Sequence, residues 1–194
     1  MDADEIKFYG QQEGETVLYE IRPHWTRKAT GLLLSGIITL LGFGTTHILT
    51  LTIAEDPTVF FARGLILSLL VGGILYGWFR FTANRARAFI TDRRFVRLEV
   101  AFPVFINRRS LFWSEVLKVK GYAPNILLKS AKVGTLAVQP MMSESKNEDV
   151  RVSHVYYFGD IANYMDKILY LQKNDPEGLK NLRPFVPKPA GERF

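Results

Sequence analysis

Residues 22–43 run RPHWTRKATGLLLSGIITLLGF: Arg22, His24, Trp25, Arg27 and Lys28 crowd the first seven positions, and no charge follows. The uncharged run extends over residues 29–54, where His47 is the one ionisable side chain. A hydrocarbon core about 30 Å thick is crossed by about 20 helical residues, so this run is long enough for one span. A second uncharged run, residues 64–79, reaches spanning length once residues 59–62 join it, with Arg63 near the end where a long side chain can snorkel. The competing reading is a pair of core helices in a soluble bundle. Such helices usually carry a polar face, and these runs lack one.

Glu55, Asp56 and Pro57 make a polar break too short for a domain, so the spans form a hairpin. Arg22, Arg27 and Lys28 precede it, Arg80, Arg85, Arg87, Arg93 and Arg94 follow it, and its loop carries acids. The positive-inside bias then places both termini on the cytoplasmic side of a cell inner membrane. The topological equivalent is a mitochondrial inner membrane with the domain in the matrix. Trp25, Tyr76 and Trp78, with Arg27, Lys28 and Arg80, are the expected interfacial anchors. The first 20 residues hold one lysine against six acids, which argues against a cleavable signal peptide. With no cysteine, disulfides and thiolate metal sites are excluded.

Small residues recur within the spans: Gly31 and Ser35 in the first, and Gly64, Ser68, Gly72, Gly73 and Gly77 in the second. They let helix backbones approach closely, and packing of the spans on each other is favoured over an oligomer seam. His47 invites a proton relay, but its span offers no second ionisable group, so a hydrogen bond to the neighbouring helix is the expectation.

After Phe81 the pattern changes to short β-type runs: RAFIT, RFVRLEV, RRSLFW, VLKVKGY, GTLAVQP and VRVSHVYYF, separated by polar and glycine-rich breaks. Val96, Leu98 and Val100 alternate with Arg97 and Glu99, as in a strand with one buried face. No crossover helix of adequate length intervenes, which points to a small antiparallel sandwich or barrel. NILLKSAKV suggests one short helical turn. FGDIANYMDKILYLQKND reads as an amphipathic helix with Asp160 as N-cap and Ile161, Tyr164, Met165, Ile168 and Leu169 on its apolar face. Four prolines after Asp175 suggest a tail without regular structure, free or laid on a partner. The expected organisation is therefore an approach segment (1–28), a transmembrane hairpin (29–82, spans at about 29–54 and 58–80), a mainly-β domain capped by one helix (83–173) and a proline-rich tail (174–194).

The segments GETVLYEIRPHW, AFITDRRFVRLEV and SEVLKVKGYAPNILLKSAKVGTLAV, followed by the closing helix, resemble the bacterial pleckstrin-homology-like family of membrane-flanked domains over residues 14–171. The resemblance implies a bent, seven-stranded antiparallel sandwich capped by a C-terminal helix. The chain departs from the family pattern at EVAFPVFINRR, where Ala101, Phe102 and Pro103 replace a glycine-led turn. A looser likeness joins it to mitochondrial inner-membrane families built as a hairpin plus a small β domain.

Catalytic chemistry finds little support. His24, His47 and His154 are dispersed, and adjacent strand residues Ser153 and His154 point to opposite faces. Glu115 and Asp92 do not make an acid–base pair, and GYAPNILLKSAKVG lacks the phosphate-loop register. No enzyme activity, metal or cofactor is expected. Charge says more: residues 80–132 carry twelve Lys and Arg against three acids, a net of +9, whereas residues 133–194 balance at eight of each. Arg85, Arg87, Arg93, Arg94, Arg97, Arg108 and Arg109 are thus candidates for contact with an anionic membrane surface or lipid headgroup, which attracts each nearby cation by about 1 kcal/mol. The favoured function is a non-enzymatic scaffold or accessory subunit that meets a membrane protein partner or a second copy of itself. A headgroup sensor ranks second, because Asp92 would weaken a phosphate pocket. A membrane-tethered nucleic-acid binder ranks third, since no aromatic-interleaved recognition motif is present.

Overall fold

The computed structural model describes residues 7–53, 56–101, 105–142 and 149–187. It divides into two compact units, Trp25–Asn84 and a second formed by Met1–His24 together with Arg85–Phe194.

The first unit is a helical hairpin of α1 (Trp25–Ile53) and α2 (Pro57–Arg85). Both helices outrun the spans expected from the uncharged stretches. Trp25, Arg27 and Lys28 lie within the first turn of α1 rather than ahead of it, and Pro57 opens α2, where a missing N–H costs nothing. Consecutive Leu32, Leu33 and Leu34 are 56%, 67% and 44% exposed, and only 6% and 11% of the most apolar stretches of the two helices are buried. Core helices of a soluble protein have the reverse exposure. Thr30, Thr39, Thr45, Thr46, Thr50 and Thr52 each donate the hydroxyl to a carbonyl four residues back, so these side chains need no water. By length and composition, both helices can cross a membrane.

The small residues of α2 separate into two sets. A Cβ added at Gly64 or Gly72 would collide with Thr46 or Thr39, and Ser68 lies against Gly42. These three positions, four apart, are the seam with α1, where Gly31 likewise makes room for Phe79. Gly73 and Gly77 were expected in the same seam, but nothing lies within 4 Å of a Cβ at either. Each is offset from the seam by about 100° of helix rotation. His47 meets the edge of Phe61 across the hairpin, 5.7 Å between ring centroids, in place of the expected hydrogen bond.

The second unit holds two antiparallel sheets. β1 (Val17–Ile21), β2 (Arg87–Thr91), β3 (Arg94–Ala101) and β4 (Phe105–Phe112) form one in that order, and β5 (Val116–Tyr122), β6 (Val133–Pro140) and β7 (Val150–Tyr156) form the other. A 3-10 turn, Trp113–Glu115, joins the sheets. α3 (Ile126–Ser130) is the short turn anticipated between β5 and β6, capped where Asn125 Oδ1 accepts from the Leu128 N–H at 2.8 Å. The approach segment is not a lead-in to the helices. It contributes β1, so the β domain is interrupted by the hairpin instead of beginning at residue 83.

α4 (Phe158–Asn174) packs on β5 and β6 with Ile161, Met165 and Ile168 buried, as their spacing predicts. Its cap differs from expectation: Tyr157, in the left-handed region at φ 56°, precedes the helix, and Asp160 falls inside the first turn. The core between the sheets and α4 includes Phe95, Leu136 and Trp113, whose Nε1 donates to the Thr91 carbonyl at 2.9 Å.

Regular structure also continues beyond Asp175. Pro176 occupies the first turn of α5 (Pro176–Lys180), a position where proline is tolerated, and the Asp175 carboxylate accepts from the Gly178 N–H. Leu179 is buried, and Phe185 donates its N–H to the Leu18 carbonyl while its ring meets Tyr19 edge-on at 4.9 Å. Tyr164 donates its hydroxyl to the Arg183 carbonyl at 2.8 Å, and burial pushes its pKa up to about 12. Through residue 187 the segment expected to be a tail is laid against the domain itself. It covers the outer edge of β1, where unpaired backbone groups would otherwise be exposed.

Candidate functional site

The seven arginines nominated for membrane or headgroup contact do not form one surface. β2 and β3 are joined by a tight turn at Asp92 and Arg93, which places Arg94 at the start of β3 beside the segment that precedes β1. That segment lies across the outer face of the four-stranded sheet. Phe8 stacks on Phe89 at 4.8 Å and joins Val17, Val96 and Leu98 in a second small core. Gly10 and Gly14 take φ of 81° and 70°, turns that side chains rarely tolerate, and a Cβ at Gly10 would strike the Arg108 guanidinium.

Those turns aim acceptors at the arginines. Arg94 donates Nε to Glu15 Oε1 at 2.9 Å and Nη2 to Glu15 Oε2 at 2.8 Å, and it also reaches the Gly10 carbonyl at 2.8 Å. The pair is buried, with side chains 4% and 0% exposed. Burial pushes the Glu15 pKa up, but the Arg94 guanidinium, the Gln12 N–H and the Thr91 hydroxyl together outweigh it and hold the carboxyl below its ordinary range. The hydrogen bond that Arg94 donates to Glu15 raises the Arg94 pKa in turn. Asp92 accepts from the Thr16 N–H at 2.9 Å, and Arg93 donates to the Gly14 carbonyl at 3.2 Å. The two short motifs GET and TDRR, nearly 80 residues apart, are the two halves of one clasp.

Two other candidates pair with carboxylates nearer the surface. Arg87 pairs with Glu20 at 3.0 Å, and Arg97 with Glu99 at 2.7 Å. Burial lowers the pKa of Arg97. Arg108 is exposed and reaches the Gly10 carbonyl at 3.4 Å, while Arg85 and Arg109 are exposed. Arg94 is therefore held in a buried ion pair, which leaves little of its side chain exposed. Glu15, Glu20 and Thr91 were missed as partners because the basic stretch was counted from residue 80 onward, which left out both glutamates across the helical hairpin, and because a lone threonine carries no charge signal.

A groove of about 750 Å³ flanks the clasp, lined in part by Asp92, Arg93, Ser114, Leu179 and Lys180. It mixes two cations with one carboxylate and lies at the Asp92 turn. The chain leaves β1 and enters β2 at the other end of the sheet, where Ile21 pairs with Ala88. Among the anchors, Trp25 is 65% exposed and Tyr76 accepts from Arg80 at 3.1 Å. His24 donates its backbone N–H to the His154 carbonyl and stacks on Tyr156, and burial lowers its pKa. Among the described residues no group of three His, Asp or Glu side chains is placed to hold a metal ion. Searches against family models, curated proteins and solved structures found no match to this chain.

Proposed function

We propose that this chain is a non-enzymatic integral membrane protein in which α1 and α2 span the bilayer as a hairpin and the β domain is displayed on the cytoplasmic-type side as a scaffold or accessory subunit of a membrane protein complex. The observation that carries the reading is the contrast in exposure: apolar side chains cover the outside of α1 and α2, whereas the β domain buries its own core. Seven strands in sheets of four and three, closed by α4, are consistent with the bacterial pleckstrin-homology-like arrangement that the motifs resemble. We take the domain to be of that kind. The basic flanks of the hairpin support a cell inner membrane with both termini cytoplasmic.

A scaffold is favoured over a headgroup sensor because Arg94, Arg87 and Arg97 are already committed to carboxylates. Purification of the full chain in mild detergent tests the choice. A membrane protein recovered in stoichiometric amount, or a discrete homo-oligomer, is the expected result. A monodisperse protein that binds vesicles with a salt-resistant preference for one phosphorylated headgroup would make the sensor primary.

A further inference from the structure

Both connections to the helical hairpin leave the β domain at one end. Ile21, where the chain departs toward α1, pairs with Ala88, and Arg87, where it returns from α2, pairs with Leu98 of β3. β3 runs on past that pairing through Glu99, Val100 and Ala101, and β4 begins at Phe105 opposite Ala101. The β3–β4 hairpin therefore overhangs this end of the sheet by three residues, roughly 10 Å at the usual strand rise. Phe105 and Ile106 there are 70% and 54% exposed, although they belong to opposite faces of β4. Neither core cluster reaches them.

The second sheet projects a similar element at the same end. His24, the last residue before α1, is bound at His154 and Tyr156, and Tyr156 pairs with Val133, the first residue of β6. α3 ends at Ser130, shortly before that residue, and its Ile126 and Leu127 are 84% and 80% exposed. Exposed cations stand beside both projections, Arg109 on β4 and Lys129 on α3. The carboxylates of this end, Glu20 and Glu99, are each bound by an arginine.

We infer that the β3–β4 tip and α3 together form a membrane-docking surface, in which Phe105, Ile106, Ile126 and Leu127 enter the headgroup boundary of an anionic bilayer and Arg109 and Lys129 meet its charge. The inference rests on the membrane-spanning reading of α1 and α2. Exposed apolar groups bound by cations match a surface that is anionic outside and apolar just beneath, and two tethers at the same end hold the domain within reach of it. The amphipathic helix α4 is unsuited to a membrane surface because its apolar face is already buried in the core.

The absence of cysteine permits single-cysteine variants of the full chain, each carrying an environment-sensitive fluorophore, in vesicles of phosphatidylcholine and phosphatidylglycerol. Phe105→Cys and Leu127→Cys probe the surface, and Leu41→Cys probes α1. Met142→Cys is the control, because Met142 is 95% exposed yet lies beyond Pro140, which pairs with Val116 at the opposite end. All four side chains are exposed, so folding is not at stake. Lipid-borne nitroxide should quench the 41, 105 and 127 probes at least twofold more than the 142 probe, with aqueous iodide giving the reverse order. Charge reversal at Arg109 and Lys129 should reduce the 105 and 127 quenching at least twofold. If iodide reaches 105 or 127 as readily as 142 while 41 remains lipid-quenched, the docking surface is overturned and the spanning reading stands. If iodide reaches 41, both fall. Probes shielded from both quenchers would mark a protein contact and also overturn the inference.

Discussion

The two units of this chain solve the same problem with opposite surfaces. In the helical hairpin, Leu32, Leu33, Leu40 and Leu41 face outward and the contact between helices is made by Gly64, Ser68 and Gly72. In the β unit, Phe95, Leu136, Met165 and Ile168 are wholly buried, and even a charged pair, Glu15 with Arg94, is taken inside. Burying large apolar groups is favourable when water is the alternative. Lipid removes that drive, so close backbone packing takes its place. On the membrane-spanning reading proposed above, the difference in what each unit hides reflects the solvent around it.

The strongest way to break the comparison is to disturb the buried pair. Arg94→Ala leaves the Glu15 carboxylate buried without its partner and should cost about 4 kcal/mol, read as a lower denaturant midpoint for the near-ultraviolet circular dichroism of the β unit. The double variant Glu15→Gln with Arg94→Met should recover most of that loss. Full stability in Arg94→Ala would mean that the clasp does not hold the domain together.

Next in size is Leu41→Asp. Leu41 is 64% exposed, and a surface substitution in water is usually worth within about 0.5 kcal/mol. At the centre of a bilayer span the same change costs about 3 kcal/mol. A membrane-insertion assay that finds no effect would return α1 to the class of aqueous helices.

A smaller effect sharpens the seam. Gly72→Leu must displace Thr39, whereas Gly73→Leu enters open space. The first should destabilise the hairpin by about 2 kcal/mol, the common cost of overpacking, and the second should be close to neutral, as measured by detergent-driven unfolding in mixed micelles. Equal effects would place the helix contact elsewhere.

The mildest expected effect is that of pH. The folded pKa of Glu15 lies below its ordinary value of 4.5, so its contribution is fully present above about that pH and is lost as pH falls through the lowered folded value. The β unit should lose stability on acidification through this window, and Glu15→Gln should flatten the loss. An unchanged acid profile in that variant would assign the dependence to other carboxylates.

Local pattern was sufficient for much of the architecture. A run of 26 uncharged residues, the alternation around Val96 and the three-four spacing of Ile161, Met165 and Ile168 are each dictated by neighbours within a few positions, so the two helices, most strands and α4 were legible. Nothing local reveals that Val17–Ile21 is the edge strand of a sheet whose next strand follows 65 residues later, or that Pro176 starts a helix which folds back on the domain.

The candidate site was legible only as a list of cations. Whether an arginine meets solvent or a carboxylate depends on charges that pairing of distant strands brings within 3 Å, and Coulomb energy follows that separation, not distance along the chain. The sequence by itself determined which segments shun water and what period they follow, because those are properties of side chains in order. The tertiary structure alone decided that Arg94 is sealed against Glu15, that Gly72 and not Gly73 meets α1, and that Phe105 and Leu127 project from one end of the domain.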